Sequence, residues 1–392
     1  MTPHEKDDEK DFAGAALGSS ATRLMSVDIF RGLMVAGMIL VDNPGDDARA
    51  YWPIQHAEWN GWTPADFIFP SFLFLVGISM VYSFSARLQR GESKGHIFAH
   101  AVKRALILII LGLLVNGFPV YHLKDWRIEG VLQRIAVCYL ISAISVLWSD
   151  WRGQVLAICI CLFGYWGLVR FVPVPGFGVP GRDVPFLDMN GNIVAWLDRK
   201  FFMGHLYEGT RDPEGILNSI PAIGTALFGV LTGHWLRRTI SGKNKVMGML
   251  AAGIAGLVLG KIWNIWFPIN KNMWTSSFVV FAAGFSLVTL ALLYWMVEEK
   301  KWRGAWTVPF LVFGMNAIAG FVADALVYGP AYSWGVTGPD GTHVMLQQFA
   351  FNHLAKLPVS PGGASLIYSL GAVLFCWLLL LPLYRKRIFL KI

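Results

Sequence analysis

"PADFIFPSFLFLVGISMVYSFS", from Pro64 to Ser85, is an apolar segment that contains a single charged residue, Asp66. A helix needs about 20 apolar residues to cross the hydrocarbon core of a membrane, and this segment is long enough. The whole chain shares this character, because 55% of its 392 residues are hydrophobic, 15% are charged, and the mean hydropathy is +0.50. Soluble proteins of this length rarely reach such values. The composition therefore predicts an integral membrane protein.

Nine further segments are candidates for spans, although the first of them, 26–42, is short and charged at its start. We predict an all-α, polytopic integral membrane protein with about ten transmembrane helices, in a single domain that covers residues 23–392. The polar, acidic residues 1–22 contain no signal-peptide pattern and are expected to form a disordered cytoplasmic tail. The expected spans are 26–42, 64–85, 101–118, 130–148, 154–172, 215–236, 246–267, 276–297, 305–328 and 363–384.

The distribution of Lys and Arg predicts the orientation of the chain. With a cytoplasmic N-terminus, the inner loops and the C-terminal tail collect most basic residues, so both termini are predicted to be cytoplasmic. The net charge of +8 then reflects topology and does not indicate nucleic-acid binding. Two long outer connections, near 173–214 and 329–362, are expected to cover an extracytoplasmic cavity. The short outer loops hold only Arg49, Lys124, Arg127 and Lys271.

The first outer loop carries the most polar chemistry. His56 lies there among indoles, an amide and carboxylates, and Asp66 follows just inside the next apolar segment. A charge at membrane depth usually faces a cavity or a partner. A neutral imidazole can accept a proton or attack a carbonyl, and a nearby carboxylate can fix its tautomer. No second His or Cys stands at ligand spacing, so no metal is predicted, and the four cysteines are expected to pack in the core without disulfides.

Seven segments of the chain, in the same order, match those of a known protein family. The chain resembles the heparan-α-glucosaminide N-acetyltransferase family of transmembrane acetyltransferases, in its bacterial form, from about residue 23 to residue 392. The segments are "RLMSVDIFRG", "HAEWNGWTPADFIFPSFLFLVG", "RIEGVLQRIAVCY", "DPEGILNSIPA", "PINKNMWTSS", "GMNAI" and "YRKRIFLKI".

This resemblance implies transfer of an acetyl group from cytoplasmic acetyl-CoA to the amine of a glucosamine-type sugar on the extracytoplasmic side. The active-site histidine of the family corresponds to His56. A functional asparagine of the family follows the valine that ends helix one. Here Asp42 stands at that place and Asn43 comes next, so either residue is a candidate for the second catalytic group. The resemblance also implies a bacterial inner-membrane location and a homodimer.

Other candidate residues follow from topology. The phosphates of acetyl-CoA are expected near the basic cytoplasmic mouth, whereas the sugar is expected near the first outer loop. His56 would act either as a nucleophile that becomes acetylated or as a general base on the amine. The expected CoA-binding residues are Arg104, Arg237, Arg238 and Lys301, and the expected substrate-binding residues are Trp59, Asn60, Asp66, Lys261 and Asn316.

Two other function classes remain open from the sequence. The chain could acetylate hydroxyl groups of a cell-wall or surface polysaccharide. It could also be a sugar transporter without chemistry, because polar residues at membrane depth suit transport, although paired repeats are missing. A purely structural scaffold leaves the polar first outer loop without a purpose.

Overall fold

A computed structural model describes residues 24–337 and 343–390. These residues form thirteen helices and one short antiparallel hairpin, which confirms the all-α, polytopic fold. The expected tail at residues 1–22 lies outside the described residues. The helices are α1 Met25–Asp42, α2 Pro64–Gln89, α3 Lys94–Gly117, α4 Val131–Trp148, α5 Trp151–Phe171, α6 Ile193–Phe202, α7 Ser219–Leu236, α8 Gly242–Trp263, α9 Ser276–Glu299, α10 Ala305–Met315, α11 Ala317–Ser333, α12 Leu346–Leu354 and α13 Pro361–Arg385; the hairpin is β1 Gly335–Thr337 and β2 His343–Met345.

Within the described ranges, eight helices are long and apolar enough to cross a membrane, and a bent pair raises the count to nine if it crosses as one span. These eight coincide with eight of the ten predicted segments. The segment 26–42 forms α1, which carries three charged residues, Asp28, Arg31 and Asp42. The predicted segment 305–328 corresponds to this bent pair, in which the chain bends by 83° at Asn316 between α10 and α11.

The burial of the helices separates a central group from a peripheral one. In α2, α7 and α9 about two thirds of the apolar window, 67%, is buried inside the protein, whereas in α3, α8 and α13 the share is 22–28%. The peripheral helices instead expose large apolar side chains such as Ile110, Val258 and Leu374, as lipid-facing helices do. The expectation that every cysteine packs in the core is wrong for Cys159, which is exposed.

Helix α2 forms the link between the first outer loop and the core. Thr63 and Asp66 close a reciprocal capping box at its start, and Pro64 takes a first-turn position where its missing N–H costs nothing. Phe67 then stacks on Phe285 of α9, with ring centroids 4.6 Å apart. The cap thus fixes Asp66 at the point where the polar loop enters the packed interior.

The loops meet at two ends of the bundle. At the first, which we call the His56 end, the segment 43–63 contacts the segments 173–218 and 264–275 and the start of α13. The long connection near 173–214 contains α6, and the one near 329–362 contains the end of α11, the hairpin and α12. The opposite end, which we call the basic end, carries the loops that follow α2, α7 and α9.

Candidate active site

His56 and Asp66 form a close pair at the His56 end. Nδ1 of His56 lies 2.8 Å from Oδ1 of Asp66, whose side chain is 1% exposed. Oδ2 of the same carboxylate accepts hydrogen bonds from the backbone N–H groups of Ala57 and Thr63 and from the Thr63 hydroxyl. Because an ionised carboxylate only accepts, it selects the tautomer with the proton on Nδ1. Nε2 of His56, whose side chain is 44% exposed, therefore keeps its lone pair for chemistry.

Lys271 is the third member of this cluster. Its Nζ lies 3.0 Å from Nδ1 and 3.2 Å from Nε2 of His56, and 3.6 Å from Oδ1 of Asp66. Sequence reasoning counted Lys271 only as one of the few basic residues of the outer loops. The one available signal was its place in the segment "PINKNMWTSS", which also carries the resemblance.

The loop that presents Lys271 is fastened by Asn270. Oδ1 of Asn270 accepts from the Met273 N–H at 2.8 Å, and its Nδ2 donates to Oδ1 of Asn60 at 3.2 Å. The Gly61 N–H also donates to the carbonyl of Ile269 at 2.8 Å. Asn60 therefore ties the first outer loop to the loop of Lys271, which sets the position of the amine relative to His56.

Trp59 ties the same loop to the long connection that follows α5. Its Nε1 donates to the carbonyl of Leu187 at 2.8 Å, and the guanidinium of Arg211 lies 5.0 Å from its ring centroid. The described contacts of Trp59 and Asn60 thus hold the loop of His56 in place.

Asp42 and Asn43 reach the site from the end of α1. Asp42 is exposed and interacts electrostatically with His56, Lys271 and Asp324. Asn43 is completely buried, and its Nδ2 donates to Oδ1 of Asp324 at 2.6 Å. Sequence reasoning noticed Asp324 only as a polar interruption of an apolar segment.

Two of the expected substrate-binding residues are not in contact with His56 among the described residues. Lys261 is exposed near the end of α8. Asn316 lies at the bend between α10 and α11, where its amide holds the backbone of Ile388 and Leu390. A role in substrate binding stays a prediction for both residues.

A buried ionic network adjoins the site. Arg127 donates to Oδ1 of Asp212 at 2.5 Å and also contacts Glu214, which interacts electrostatically with Asp42. Burial alone would raise the pKa of Asp212, but the hydrogen bond and charge of Arg127 outweigh it and lower that pKa. Burial, reinforced by the charges of Asp198 and Asp212, raises the pKa of Glu129 to about 9.

The basic end holds a cavity of about 400 Å³. Of the four expected CoA-binding residues, only Arg237 lines it; the others lie outside its lining. Arg104 lies 4.9 Å from the ring of Tyr139, Arg238 lies 5.2 Å from the ring of Trp235, and Lys301 is exposed in the loop after α9. The cavity is lined by Leu24, Tyr82, Ala86, Gln89, Leu236, Arg237, Lys245 and Tyr294.

The chemistry available at the His56 end is that of a positioned base or nucleophile with a cation beside it. In the described part of the chain, no three His, Cys, Asp or Glu side chains are grouped to hold a metal ion. The site offers an oriented imidazole whose Nε2 lies beside an ammonium group, together with the carboxyl groups of Asp42 and Asp324. Acyl transfer uses such groups.

Comparisons with known proteins point to one family. The family model described as "Heparan-alpha-glucosaminide N-acetyltransferase, catalytic" matches residues 23–262. The heparan-alpha-glucosaminide N-acetyltransferase of Mus musculus is 32% identical over 375 residues, 81% of this chain and 55% of its own length. That of Homo sapiens is 32% identical over 365 residues, 78% of this chain and 53% of its own. The chain thus spans about half the length of these curated relatives.

Proposed function

The chain belongs to the heparan-α-glucosaminide N-acetyltransferase family, and from this premise we propose that it transfers an acetyl group from acetyl-CoA to the amine of a glucosamine-type sugar. The observation that supports this most directly is the His56 geometry. The ring is held by the buried carboxylate of Asp66 at 2.8 Å, and Nε2 lies on a half-exposed side chain beside the Lys271 ammonium. A reacting amine or thioester needs such a nitrogen nearby.

His56 performs the central step in either of two ways. As a nucleophile, its Nε2 takes the acetyl group from the thioester and then passes it to the sugar amine. As a general base, it removes a proton from the amine while both substrates are bound. Asp66 holds the ring in the required tautomer in both routes. Lys271 places a positive charge where an oxyanion would develop during attack on the acetyl carbonyl.

Acetyl-CoA is expected to enter from the basic end. Its phosphates match the cavity at that end, where Arg237 and Lys245 supply positive charge and Tyr82 and Tyr294 supply hydroxyl groups. Arg104, Arg238 and Lys301 then contribute to the surrounding basic field and do not line the cavity itself. The uncharged pantetheine arm would extend between the helices toward His56.

The sides of the membrane follow from the loop charges. We place the basic end in the cytoplasm and the His56 end outside, in the bacterial inner membrane, because Lys and Arg concentrate in the loops of the basic end. The sugar then meets the site from outside, beside Asp42 and Asn43. Trp59 and Asn60 shape the approach by fixing the outer loops, and a homodimer remains our expectation for the assembly.

The test of the proposed function is acetyl transfer by the purified full chain in detergent. With acetyl-CoA and D-glucosamine, the wild-type protein should form N-acetylglucosamine and free CoA. His56→Ala should lower kcat by at least 10²-fold, because general acid–base catalysis alone contributes about that much. The matched control is His353→Ala, which removes an exposed imidazole bonded only to a carbonyl of its own helix.

His353→Ala should keep wild-type turnover. A His56→Ala protein with near-normal turnover would remove His56 from the reaction, and a wild-type protein without any transfer would end the proposal. Incubation with acetyl-CoA alone separates the two routes. An acetyl group found on His56 by mass spectrometry indicates the nucleophilic route.

A further inference from the structure

A pair of carboxyl groups lies beside the reacting imidazole. Asp42 at the end of α1 interacts with Asp324 in α11, and the next residue, Asn43, donates to Oδ1 of Asp324 at 2.6 Å. Because neighbouring carboxylates repel each other, the pair is expected to hold one proton and one negative charge. Asp324 is 6% exposed, whereas Asp42 is exposed, so one member is buried and the other faces the site.

The side chain of Asn43 is directed at this pair. It is fully buried, and its Nδ2 donates to Oδ1 of Asp324 at 2.6 Å and to the carbonyl of Ile39 at 2.9 Å. Oδ1 of the same amide is buried without any hydrogen-bond partner. A buried acceptor without a donor is costly, so a donor supplied by a ligand would be stabilising at this place.

The carboxylate oxygens of Asp42 and Asp324 and Oδ1 of Asn43 accept hydrogen bonds. The tyrosines that interact with Asp42 also suit a cation, because tyrosine rings attract positive charge through their faces. Tyr328 and Tyr332 stack with ring centroids 4.5 Å apart. The titratable groups that interact with Asp42 are His56, Lys271, Glu214, Tyr207, Tyr328 and Tyr332, and Cys376 of α13 interacts with Asp324.

We propose that Asp42, Asp324 and Asn43 form the subsite that binds the amino group of the acceptor as its ammonium ion, and that the carboxyl pair takes the first proton which this ammonium loses. An ammonium donates three hydrogen bonds and carries one positive charge, which matches the acceptors and the single negative charge of the pair. A hydroxyl group offers one donor and no charge. This inference rests on the proposed function and narrows the acceptor to a protonated amine.

The proton balance of the reaction supports this arrangement. The ammonium R–NH₃⁺ first gives a proton to the ionised carboxyl, which makes the pair neutral and leaves R–NH₂. The amine nitrogen then bonds to the acetyl carbon, and the C–S bond breaks with its electron pair on sulfur. The second amine proton passes through His56 to the thiolate, which becomes CoA–SH. The proton on the carboxyl pair leaves to solvent, so one proton is released for each acetyl group transferred.

The experiment measures equilibrium binding of D-glucosamine to the full chain in detergent by calorimetry, without acetyl-CoA. Each single variant, Asp42→Asn or Asp324→Asn, retains one carboxylate and should weaken binding less than fivefold. The double variant loses the charge and should weaken binding at least tenfold, by more than the product of the single effects. The control is Asp125→Asn, an exposed carboxylate in the loop between α3 and α4, which should bind as the wild type does.

Two results would overturn the inference. One is a double variant that binds D-glucosamine within twofold of the wild type. The other is measured on the wild-type protein alone and needs no variant to fold: if the dissociation constant for total glucosamine falls as the pH rises toward the pKa of the sugar amine, the free amine is the form that binds. Failure of the proposed function looks different, because glucosamine would bind and no acetyl group would be transferred.

Discussion

Two charged groups of opposite sign act on the same imidazole. Asp66 accepts the hydrogen bond of Nδ1 in His56, and the ammonium of Lys271 lies within 3.2 Å of both ring nitrogens. The carboxylate orients the ring, whereas the ammonium places a positive charge beside the reacting nitrogen. The combination gives an oriented imidazole with a cation next to it.

Removal of the ammonium should therefore slow the proposed acetyl transfer. In Lys271→Met kcat should fall by about 10²-fold, because the positive charge that would stabilise the developing oxyanion is lost. Lys271→Arg keeps the charge and should retain more of the wild-type turnover than Lys271→Met does. The measurement is kcat for acetyl transfer to D-glucosamine at one fixed pH. An unchanged kcat in Lys271→Met would show that this amine does not stabilise the reacting carbonyl.

Glu129 gives the stability of the protein a pH dependence of its own. Its pKa is raised from 4.5 to about 9, first by burial and then by neighbouring acids, and its Oε2 has no hydrogen-bond partner. The stabilisation from this neutral carboxyl is complete below pH 4.5 and is lost as the pH rises toward 9, because the unfolded chain ionises first. Glu129→Gln should thus raise Tm by about 2 °C or more at pH 8 and hardly at all at pH 5.

The contrasting control is Glu92. A hydrogen bond from Arg87 lowers the pKa of this partly exposed carboxylate, so Glu92→Gln should give a small loss of stability above pH 4.5, of opposite sign. Thermal unfolding in detergent at several pH values measures both variants. A Tm difference for Glu129→Gln that is the same at pH 5 and pH 8 would contradict the assignment.

Sequence distance explains which site residues were predictable. His56 and Asp66 are ten residues apart, and their proximity is visible in the loop itself. Lys271 lies 215 residues from His56, and Asp324 lies 281 residues from Asn43. Only the packing of the helices brings such partners together, and a single sequence carries no sign of it. The sequence left Asp42 and Asn43 as alternatives for the same reason, because both residues interact with Asp324, which is distant in the sequence.

Helices were predictable because length and apolar composition determine a membrane span. The bend at Asn316 was not, since hydropathy continues through the residues around it. There the amide of Asn316 holds the backbone of Ile388 and Leu390, and Gly314 allows α10 to touch the backbone of α1. The bend thus results from contacts with two distant elements.

Helix α7 packs on α2 through a glycine contact of the same kind. A Cβ at Gly229 would lie 1.9 Å from the carbonyl oxygen of Phe74 in α2, so the two helices would have to separate. Gly229→Ala should cost about 1–3 kcal/mol of stability. It should also reduce acetyl transfer, because α2 begins at the turn that holds Asp66.

The control for this contact is Gly371→Ala in α13, where a Cβ meets no atom within 4 Å. That change should leave the protein as stable as the wild type, or more stable by up to about 1 kcal/mol through helix propensity. Thermal unfolding of both variants in detergent distinguishes them. Equal Tm values for Gly229→Ala and the wild-type protein would mean that α2 and α7 repack without cost.

At the scale of the whole molecule, the candidate active site and the basic cavity lie at opposite ends. His56, Asp66 and Lys271 lie at one end, and the cavity lined by Arg237 and Lys245 lies at the other. The loop charges predicted two such ends. Which groups line each of them depended on side-chain packing, so Arg104, Arg238 and Lys301 fell outside the cavity while Lys245 joined it.

This separation leads to a prediction about sealed vesicles that contain the purified protein. If donor and acceptor enter from opposite sides, acetyl-CoA outside and D-glucosamine trapped inside should give N-acetylglucosamine inside, since neither charged substrate crosses the bilayer unaided. With both substrates only outside, little product should form, because each inserted molecule lacks one substrate on the required side. The first arm reports on the molecules whose basic end faces outward, whereas the second arm should give little product in either orientation. His56→Ala vesicles give the background, and product that appears only when both substrates share one side would show that a single face of the protein serves donor and acceptor alike.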